Sequence, residues 1–244
     1  MNGLTTIFRR ELRAYFATPV AYVFIVIFLV LTGVATFYMG SFYERGQADL
    51  EPFFQFHPWL YMFLLPAISM RLWSEERKAG TLELLLTLPV PLGAAVVGKF
   101  LAAWAFTAIA LLGTLPLWIT VNYLGEPDNT VIFAGYIGSL LMAGGFLAIG
   151  ACVSALTKNQ VIAFVVSFVI CFAFNLSGFP MVIDIFSAWA PQAIVDVISS
   201  FSFLTHFNSI VKGVIDVRDL VFFAPLIAFW LYANVLAIEI NKSN

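Results

Sequence analysis

One segment has the glycine and lysine spacing of a phosphate-binding loop, Gly93-Ala-Ala-Val-Val-Gly98-Lys99. Such a loop binds phosphate through its backbone N–H groups and the lysine, and the next residue is a serine or threonine that ligates Mg²⁺. Here the next residue is Phe100, no strand-like segment comes before the glycines, and a long apolar stretch follows. We therefore expect no nucleotide site here and no ATP hydrolysis by this chain.

Residues for metal or nucleophilic chemistry are sparse. The two histidines, His57 and His206, are far apart, and no cysteine–histidine cluster has the spacing of metal ligands. No Gly-x-Ser-x-Gly motif or Ser/His/Asp arrangement occurs. Cys152 and Cys171 lie within apolar stretches, which is typical of packing residues rather than of a disulfide. We predict no catalytic site and no metal site, and we interpret His57 as an interfacial residue.

The most informative charged segment runs from Arg71 to Leu92. Ser74 followed by two glutamates is typical of a helix start, although the apolar stretch before it could equally continue as one helix. Gly80 weakens a helix, and Thr81 is placed to restart it. Leu82, Leu85 and Leu86 form an apolar face, and Pro89 and Pro91 end the segment. This pattern predicts a short helix that could act as a lever, or else a solvated loop.

The amino-acid composition indicates whether this helix belongs to a soluble or a membrane protein. The chain has 244 residues, of which 61% are hydrophobic and 11% are charged, and it contains 26 phenylalanines. An ordinary soluble domain has roughly 25% charged residues. Polar side chains are too few to cover a soluble surface, so the sequence predicts a membrane protein. A cytosolic enzyme, a nucleic-acid-binding domain and a secreted disulfide scaffold are excluded. The net charge of −2 predicts no strong global attraction to polyanions.

Stretches without charged residues give the membrane-spanning segments. A spanning helix needs about 20 apolar residues, and strand-like alternation is absent. The fold class is therefore all-α, a polytopic membrane protein with six transmembrane helices. The predicted spans are residues 20–40, 54–73, 98–122, 131–156, 160–179 and 219–240.

The distribution of lysine and arginine predicts the orientation, because cytoplasmic loops carry more of both. With both termini inside, nine basic residues are cytoplasmic and three, Arg45, Lys212 and Arg218, are outside. The cytoplasmic ones are Arg9, Arg10, Arg13, Arg71, Arg77, Lys78, Lys99, Lys158 and Lys242.

Two further regions interrupt the regular pattern of spans. Residues 1–18 predict an amphipathic interfacial helix with Arg9, Arg10 and Arg13 opposite its apolar face, or otherwise only positively charged flanking sequence. Residues 180–218 are too apolar for a free loop and are divided into pieces too short to span. We predict two re-entrant or interfacial helices there, on the outer side.

Ionisable side chains are nearly absent from the predicted spans, which argues against a proton- or sodium-coupled carrier. The polar candidates for a pathway or a helix contact are Asn175, Thr107, Thr114 and Ser167. A helix–helix hydrogen bond is the more common role of each. Small residues spaced by four in span four, such as Gly135 and Ser139, predict close packing within the chain, or a dimer contact.

Three segments carry a family resemblance. Glu75-Glu-Arg-Lys-Ala-Gly-Thr-Leu-Glu-Leu-Leu-Leu-Thr-Leu-Pro-Val90, with the six spans, resembles an ABC-2-type transporter permease. Phe8-Arg-Arg-Glu-Leu-Arg-Ala-Tyr-Phe-Ala-Thr-Pro-Val-Ala-Tyr22 and Gly213-Val-Ile-Asp-Val-Arg-Asp-Leu220 resemble the gliding-motility-associated branch of that family. The resemblance extends over essentially the whole chain.

The resemblance implies a single ABC-2 transmembrane domain over residues 1–244, in the bacterial cytoplasmic (inner) membrane. Residues 1–18 would be an elbow helix with Arg9, Arg10 and Arg13, residues 74–92 a cytoplasmic coupling region, and residues 180–218 the outer re-entrant region. The residues implied in ATPase coupling are Glu75, Glu76, Arg77, Lys78, Gly80, Thr81, Leu82, Glu83, Leu84 and Leu85.

The same resemblance implies partners. Two ABC ATPase subunits would bind ATP and Mg²⁺, while this chain holds no cofactor. A second permease subunit, identical or related, would complete the translocation pathway of an exporter. The branch implies a membrane-anchored auxiliary protein with an outer domain. No nucleic acid is expected as a partner. The alternative function is a mechanotransmission or assembly component that relays ATPase motion to an outer partner without transporting a solute.

Overall fold

A computed structural model describes residues 3–87, 90–187, 189–213 and 217–242, and every regular element in those ranges is a helix. This confirms the all-α fold class. The α-helices are α1 (Gly3–Ala17), α2 (Pro19–Val34), α3 (Glu51–Gln55), α4 (His57–Ser69), α5 (Arg71–Ala79), α6 (Leu82–Thr87), α7 (Leu92–Leu112), α8 (Leu115–Leu124), α9 (Asn129–Leu156), α10 (Gln160–Leu176), α11 (Pro180–Ser187), α12 (Gln192–Ser200), α13 (Phe203–Val211) and α14 (Val217–Lys242). A π-helical turn, Ala35–Met39, extends α2.

Four helical segments in the described part of the chain are long and apolar enough to cross a membrane alone: Pro19–Met39, Leu92–Leu124, Asn129–Leu156 and Val221–Ile240. They match the first, third, fourth and sixth predicted spans. The fifth predicted span is α10, which forms a pair with α11 across a 76° bend. A second pair, α12 and α13, is bent by 64°, and six segments qualify if each bent pair counts as one.

The second predicted span, residues 54–73, is wrong as one continuous helix. α3 ends at Gln55, and α4 begins at His57 with Pro58 in its first turn, a position that proline favours. α4 has 13 residues, fewer than a crossing requires, but Met70 keeps right-handed helical angles and leads directly into α5. The helix that contains Ser74 therefore does not start there. It continues from the apolar stretch before it, which was the second alternative.

α9 is the central helix of the bundle, and it packs against α4, α7, α10, α13 and α14. Its small residues let these neighbours approach closely. A Cβ built at Gly135 would lie 2.6 Å from Cζ of Phe54, and one at Gly145 would lie 3.0 Å from Cζ of Phe203. The small residues therefore serve packing within the chain, as one of the two interpretations predicted.

α1 lies along α7. Ile7 is buried and faces Gly98, where a built Cβ would lie 3.0 Å from the Ile7 Cγ2 atom. The ring of Tyr15 stacks on Phe106 with centroids 4.9 Å apart. The apolar face predicted for a membrane interface is thus in contact with a spanning helix of the same chain.

The described residues of the region 180–218 form three helices before α14 begins, where two were predicted. α11 and α12 are mostly exposed, whereas α13 buries Phe203, Phe207 and Ile210. α13 packs against α9 and α14, so this third piece belongs to the bundle.

Candidate functional site

The predicted coupling region is two helices joined at Gly80. α5 carries Glu75, Glu76, Arg77 and Lys78, and it ends where Gly80 adopts left-handed angles, φ +70° and ψ 13°. The N–H groups of Gly80 and Thr81 both donate to the carbonyl of Glu76, which terminates the helix. The predicted weak point is therefore a true helix end, and α6 starts afresh at Leu82.

α6 projects from the bundle. Leu84 is 67% exposed, and Thr81, Glu83 and Thr87 are exposed as well. Leu82 is partly buried and packs against the hydrophobic core. The predictions for the side chains of Leu85 and Leu86, and for Leu88 and Pro89, concern groups outside the part of the chain that the structure describes. The described face of α6 thus includes an exposed leucine beside an exposed carboxylate, which suits a contact with another protein.

Lys99 connects the coupling region to the N-terminal helix. Its side chain is 3% exposed, and its Nζ atom lies 2.9 Å from Oε1 of Glu76 on α5 and 3.3 Å from Oε1 of Glu11 on α1. Arg10 joins the same group, with its Nη2 atom 2.5 Å from Glu11 and 3.8 Å from Glu76. Lysine is almost never buried this deeply without a partner, and here two carboxylates supply the partners. We call Arg10, Glu11, Glu76 and Lys99 the charge cluster.

Aromatic rings border the charge cluster. The Nζ atom of Lys99 lies 5.1 Å from the ring centroid of Trp73, which is fully buried on α5. Burial, with a smaller contribution from the Glu11 carboxylate, raises the pKa of Tyr15 above its ordinary value. The Tyr15 hydroxyl therefore stays protonated beside the cluster, and the cluster is bounded by apolar surface on the side of the bundle.

A second set of contacts holds α5 against the end of α9. The hydroxyl of Ser154 accepts from the N–H groups of Trp73 and Ser74, both at 3.1 Å, and donates to the carbonyl of Met70 at 2.8 Å. A side chain is thus inserted into the backbone hydrogen bonds at the junction of α4 and α5. Arg77 adds a hydrogen bond of 2.6 Å from Nη1 to the carbonyl of Ala155.

The three arginines assigned to the elbow are exposed along α1. Arg10 takes part in the charge cluster, whereas Arg9 and Arg13 lie on the polar side opposite the face that contacts α7. The amphipathic helix predicted for residues 1–18 is therefore observed over Gly3–Ala17. Its position in a membrane interface stays a prediction.

The four polar pathway candidates are not joined to one another by any described hydrogen bond. Asn175 donates from Nδ2 to the carbonyl of Pro58 at 3.1 Å, and Thr114 pairs with the Tyr136 hydroxyl at 3.0 Å. Thr107 donates to the carbonyl of Ala103 within its own helix. The buried hydroxyl of Ser167 has no described partner. Asn175 and Thr114 thus make the helix–helix contacts that were expected, and the described structure does not gather the four into one site.

Each histidine has a specific buried partner that the sequence did not reveal. Nδ1 of His57 lies 2.7 Å from the Ser139 hydroxyl, and His57 is fully buried among aromatic rings rather than interfacial. Nδ1 of His206 lies 2.6 Å from Oδ1 of Asp219, and its Nε2 lies 2.9 Å from the carbonyl of Ser200. These pairs tie α4 to α9 and α13 to α14.

The sequence contains a signal that Lys99 needs a charged partner. The seven residues from Gly93 to Lys99 are the first turns of α7 rather than a loop, and the lysine is directed to Glu76 and Glu11. A lone lysine at the start of an apolar stretch must find a partner, but the partners come from two other segments. The cluster links α1, α5 and α7 by charge.

A family model described as ABC-2 family transporter protein matches residues 5–238, nearly the whole chain. No curated protein matches the chain.

Proposed function

The chain belongs to the ABC-2 family of transporter proteins, and from this premise we propose that it is the permease subunit of an ATP-driven exporter. The family implies a partner ABC ATPase in general and a multi-pass membrane subunit. We further propose two ATPase subunits that bind ATP and Mg²⁺, a second permease subunit, and location in the bacterial inner membrane with both termini in the cytoplasm. An auxiliary outer protein, as in the gliding-motility-associated branch, belongs to the same proposal.

The contacts of α5 with the bundle and the exposure of α6 support this proposal. α5 is held to α7 by Lys99 and to α9 by Ser154, whereas α6 is exposed beyond Gly80. A force applied to α6 by a cytoplasmic ATPase would therefore pass through α5 to α7 and α9. An exposed loop with no attachment to the bundle could not transmit a displacement in this way.

The proposed cycle uses that connection. ATP binding closes the ATPase dimer and pushes α6. The push tilts α4 and α7 relative to α10 and opens a path along the axis between two permease subunits. This cycle requires the ATPase to contact α6 at the end of the helical bundle that holds the charge cluster.

Cysteine cross-linking in the complex tests this arrangement. Leu84→Cys lies on α6 and Tyr123→Cys at the end of α8, and both native side chains are highly exposed, at 67% and 90%. The native cysteines are buried and free. We expect the ATPase that co-purifies in mild detergent to cross-link to Leu84→Cys and not to Tyr123→Cys. Cross-linking from Tyr123→Cys alone would place the ATPase at the opposite end and overturn the proposal.

The alternative, a component that relays ATPase motion without moving a solute, uses the same lever. A continuous cavity between the permease subunits in the reconstituted complex would favour export. A closed and fully packed dimer axis in both nucleotide states would favour the relay.

A further inference from the structure

A cavity of about 320 Å³ lies between α1, α2, α4, α5 and α7, next to the charge cluster. Its lining includes apolar side chains on α2, α4 and α7, among them Phe24, Ala67 and Phe106. The charged side chains that line it are Glu11, Arg71, Glu75, Glu76 and Lys99. The cavity thus combines an apolar interior with a charged rim, as an amphiphile requires.

One carboxylate oxygen at the rim has no donor. The lining has three carboxylates and two cations, and Arg10, which contacts Glu11 and Glu76 but does not line the cavity, balances the third carboxylate. Oε2 of Glu76 is buried and has no hydrogen-bond partner in the described part of the chain. A buried carboxylate oxygen without a donor is unfavourable, so the rim suits a ligand that brings N–H or O–H donors.

The rim also offers donors to an anion. Arg71 donates from Nε and Nη2 to the carboxylate of Glu75, at 3.0 and 3.2 Å, and its Nη1 atom has no hydrogen bond among the described residues. The Arg71 side chain is 37% exposed, so that group is accessible. Tyr15, from α1, lines the same space. A ligand that carries both a cation and an anion therefore matches both parts of the rim.

A second groove shows what a purely apolar lining looks like in this chain. It has a volume of about 350 Å³ and lies between α1, α7 and α9, and its lining contains no charged residue among those described. Phe8, Trp104 and Ala108 are among the residues that form it. An acyl chain fits either groove, but only the first cavity contains groups that distinguish one headgroup from another.

We propose that the first cavity binds one bilayer lipid with a phosphoethanolamine headgroup. The ammonium group contacts the carboxylates of Glu75 and Glu76, the phosphate contacts Arg71, and an acyl chain follows Phe24 and Phe106. Choline carries the same charge without N–H donors, and a glycerol headgroup lacks the cation, so both fit less well. We take the bilayer as the source, because α1, which lines the rim, is the helix predicted to lie in the membrane interface.

Native mass spectrometry of the full-length chain tests this proposal. The protein in detergent is incubated with an equimolar mixture of dioleoyl phosphatidylethanolamine, phosphatidylcholine and phosphatidylglycerol. The detergent is then removed in the mass spectrometer. One hydrogen bond to a charged group corresponds to roughly a tenfold preference, so we expect the ethanolamine lipid to be retained about tenfold over each of the others. Equal retention of the three lipids, or preference for phosphatidylglycerol, would overturn the proposal.

Two matched substitutions locate the site. Ala67→Trp fills the first cavity and should abolish the preference, whereas Ala108→Trp fills the apolar groove and should preserve it. Glu75→Gln removes one rim carboxylate without changing the shape of the side chain, which is 51% exposed, and it is the test to use if Ala67→Trp fails to fold. Glu75→Gln should shift retention toward phosphatidylglycerol. Preference for ethanolamine that survives Glu75→Gln would contradict the assignment of the rim.

Discussion

The Nζ atom of Lys99 lies 2.9 Å from Oε1 of Glu76, and this ion pair connects the start of α7 to α5. Glu11 on α1 completes the contact at 3.3 Å. Three segments that are distant in the sequence therefore meet at one buried ammonium group. A charge that is only 3% exposed depends on these partners, because water cannot replace them.

Removing the cation should destabilise the chain. Lys99→Met keeps the length of the side chain but leaves Glu11 and Glu76 as neighbouring carboxylates. Breaking a buried pair costs about 3 kcal/mol, which corresponds to a fall of roughly 6–12 °C in the midpoint of thermal unfolding in detergent. Circular dichroism of the purified chain measures this change.

A double variant separates the loss of charge balance from the loss of packing. Lys99→Met combined with Glu76→Gln also removes one of the two carboxylates. The double variant should therefore recover part of the fall in the midpoint of thermal unfolding. Arg9→Met is the control on the exposed side of α1, and its midpoint should stay near that of the parent chain. No recovery in the double variant would show that the cost is not electrostatic.

The left-handed angles of Gly80 should matter for coupling. Gly80→Ala forces a Cβ into φ +70°, which costs about 1 kcal/mol, or roughly fivefold in a conformational equilibrium. A built Cβ meets nothing within 4 Å there, so the strain acts on the backbone alone. We expect lower stimulation of the partner ATPase in the reconstituted complex with little change in the global midpoint.

Gly93→Ala is the matched control, because a Cβ at this helical position also meets nothing within 4 Å. It should leave ATPase stimulation unchanged. If Gly80→Ala and Gly93→Ala gave the same stimulation as the parent chain, the lever assignment would be wrong.

The long spans were predictable because charge is excluded from them. The window predicted for the fourth span, residues 131–156, differs from the observed Asn129–Leu156 by two residues at one end. The break at Phe56 was missed because the whole stretch around it is apolar, although Pro58 was a signal for a helix start. Hydropathy alone cannot distinguish a straight helix from two short ones.

The candidate site was predictable only in part. The helix end at Gly80 followed from the residue itself, since glycine is the residue that adopts φ +70° without a steric penalty. The partners of Lys99 did not follow, because Glu11 and Glu76 are brought to it by the packing of α1 and α5 against the bundle. His206 and Asp219 are likewise paired by the arrangement of α13 and α14.

The contact of α4 with α9 at Gly150 leaves no room for a methyl group. A Cβ built at Gly150 would overlap the Ser69 hydroxyl and lie 2.7 Å from its Cβ atom. Gly150→Ala should therefore cost about 1–3 kcal/mol of stability through overpacking. Gly33→Ala on α2 is the control, because a Cβ there meets nothing within 4 Å. A midpoint for Gly150→Ala that matches that of Gly33→Ala would contradict the close approach.

The hydroxyl of Ser154 should hold the junction between α4 and α5. Ser154→Ala removes the acceptor for the N–H groups of Trp73 and Ser74 and the donor to Met70, and unsatisfied buried groups cost about 1–3 kcal/mol. We expect faster amide hydrogen exchange over residues 70–79, because the junction opens more often. Ser187→Ala, at an exposed hydroxyl that bonds within its own helix, should leave that exchange unchanged. Unaltered exchange in Ser154→Ala would show that the backbone of α5 keeps its bonds without α9, and the path from α6 to the bundle would then rest on Lys99 and Arg77.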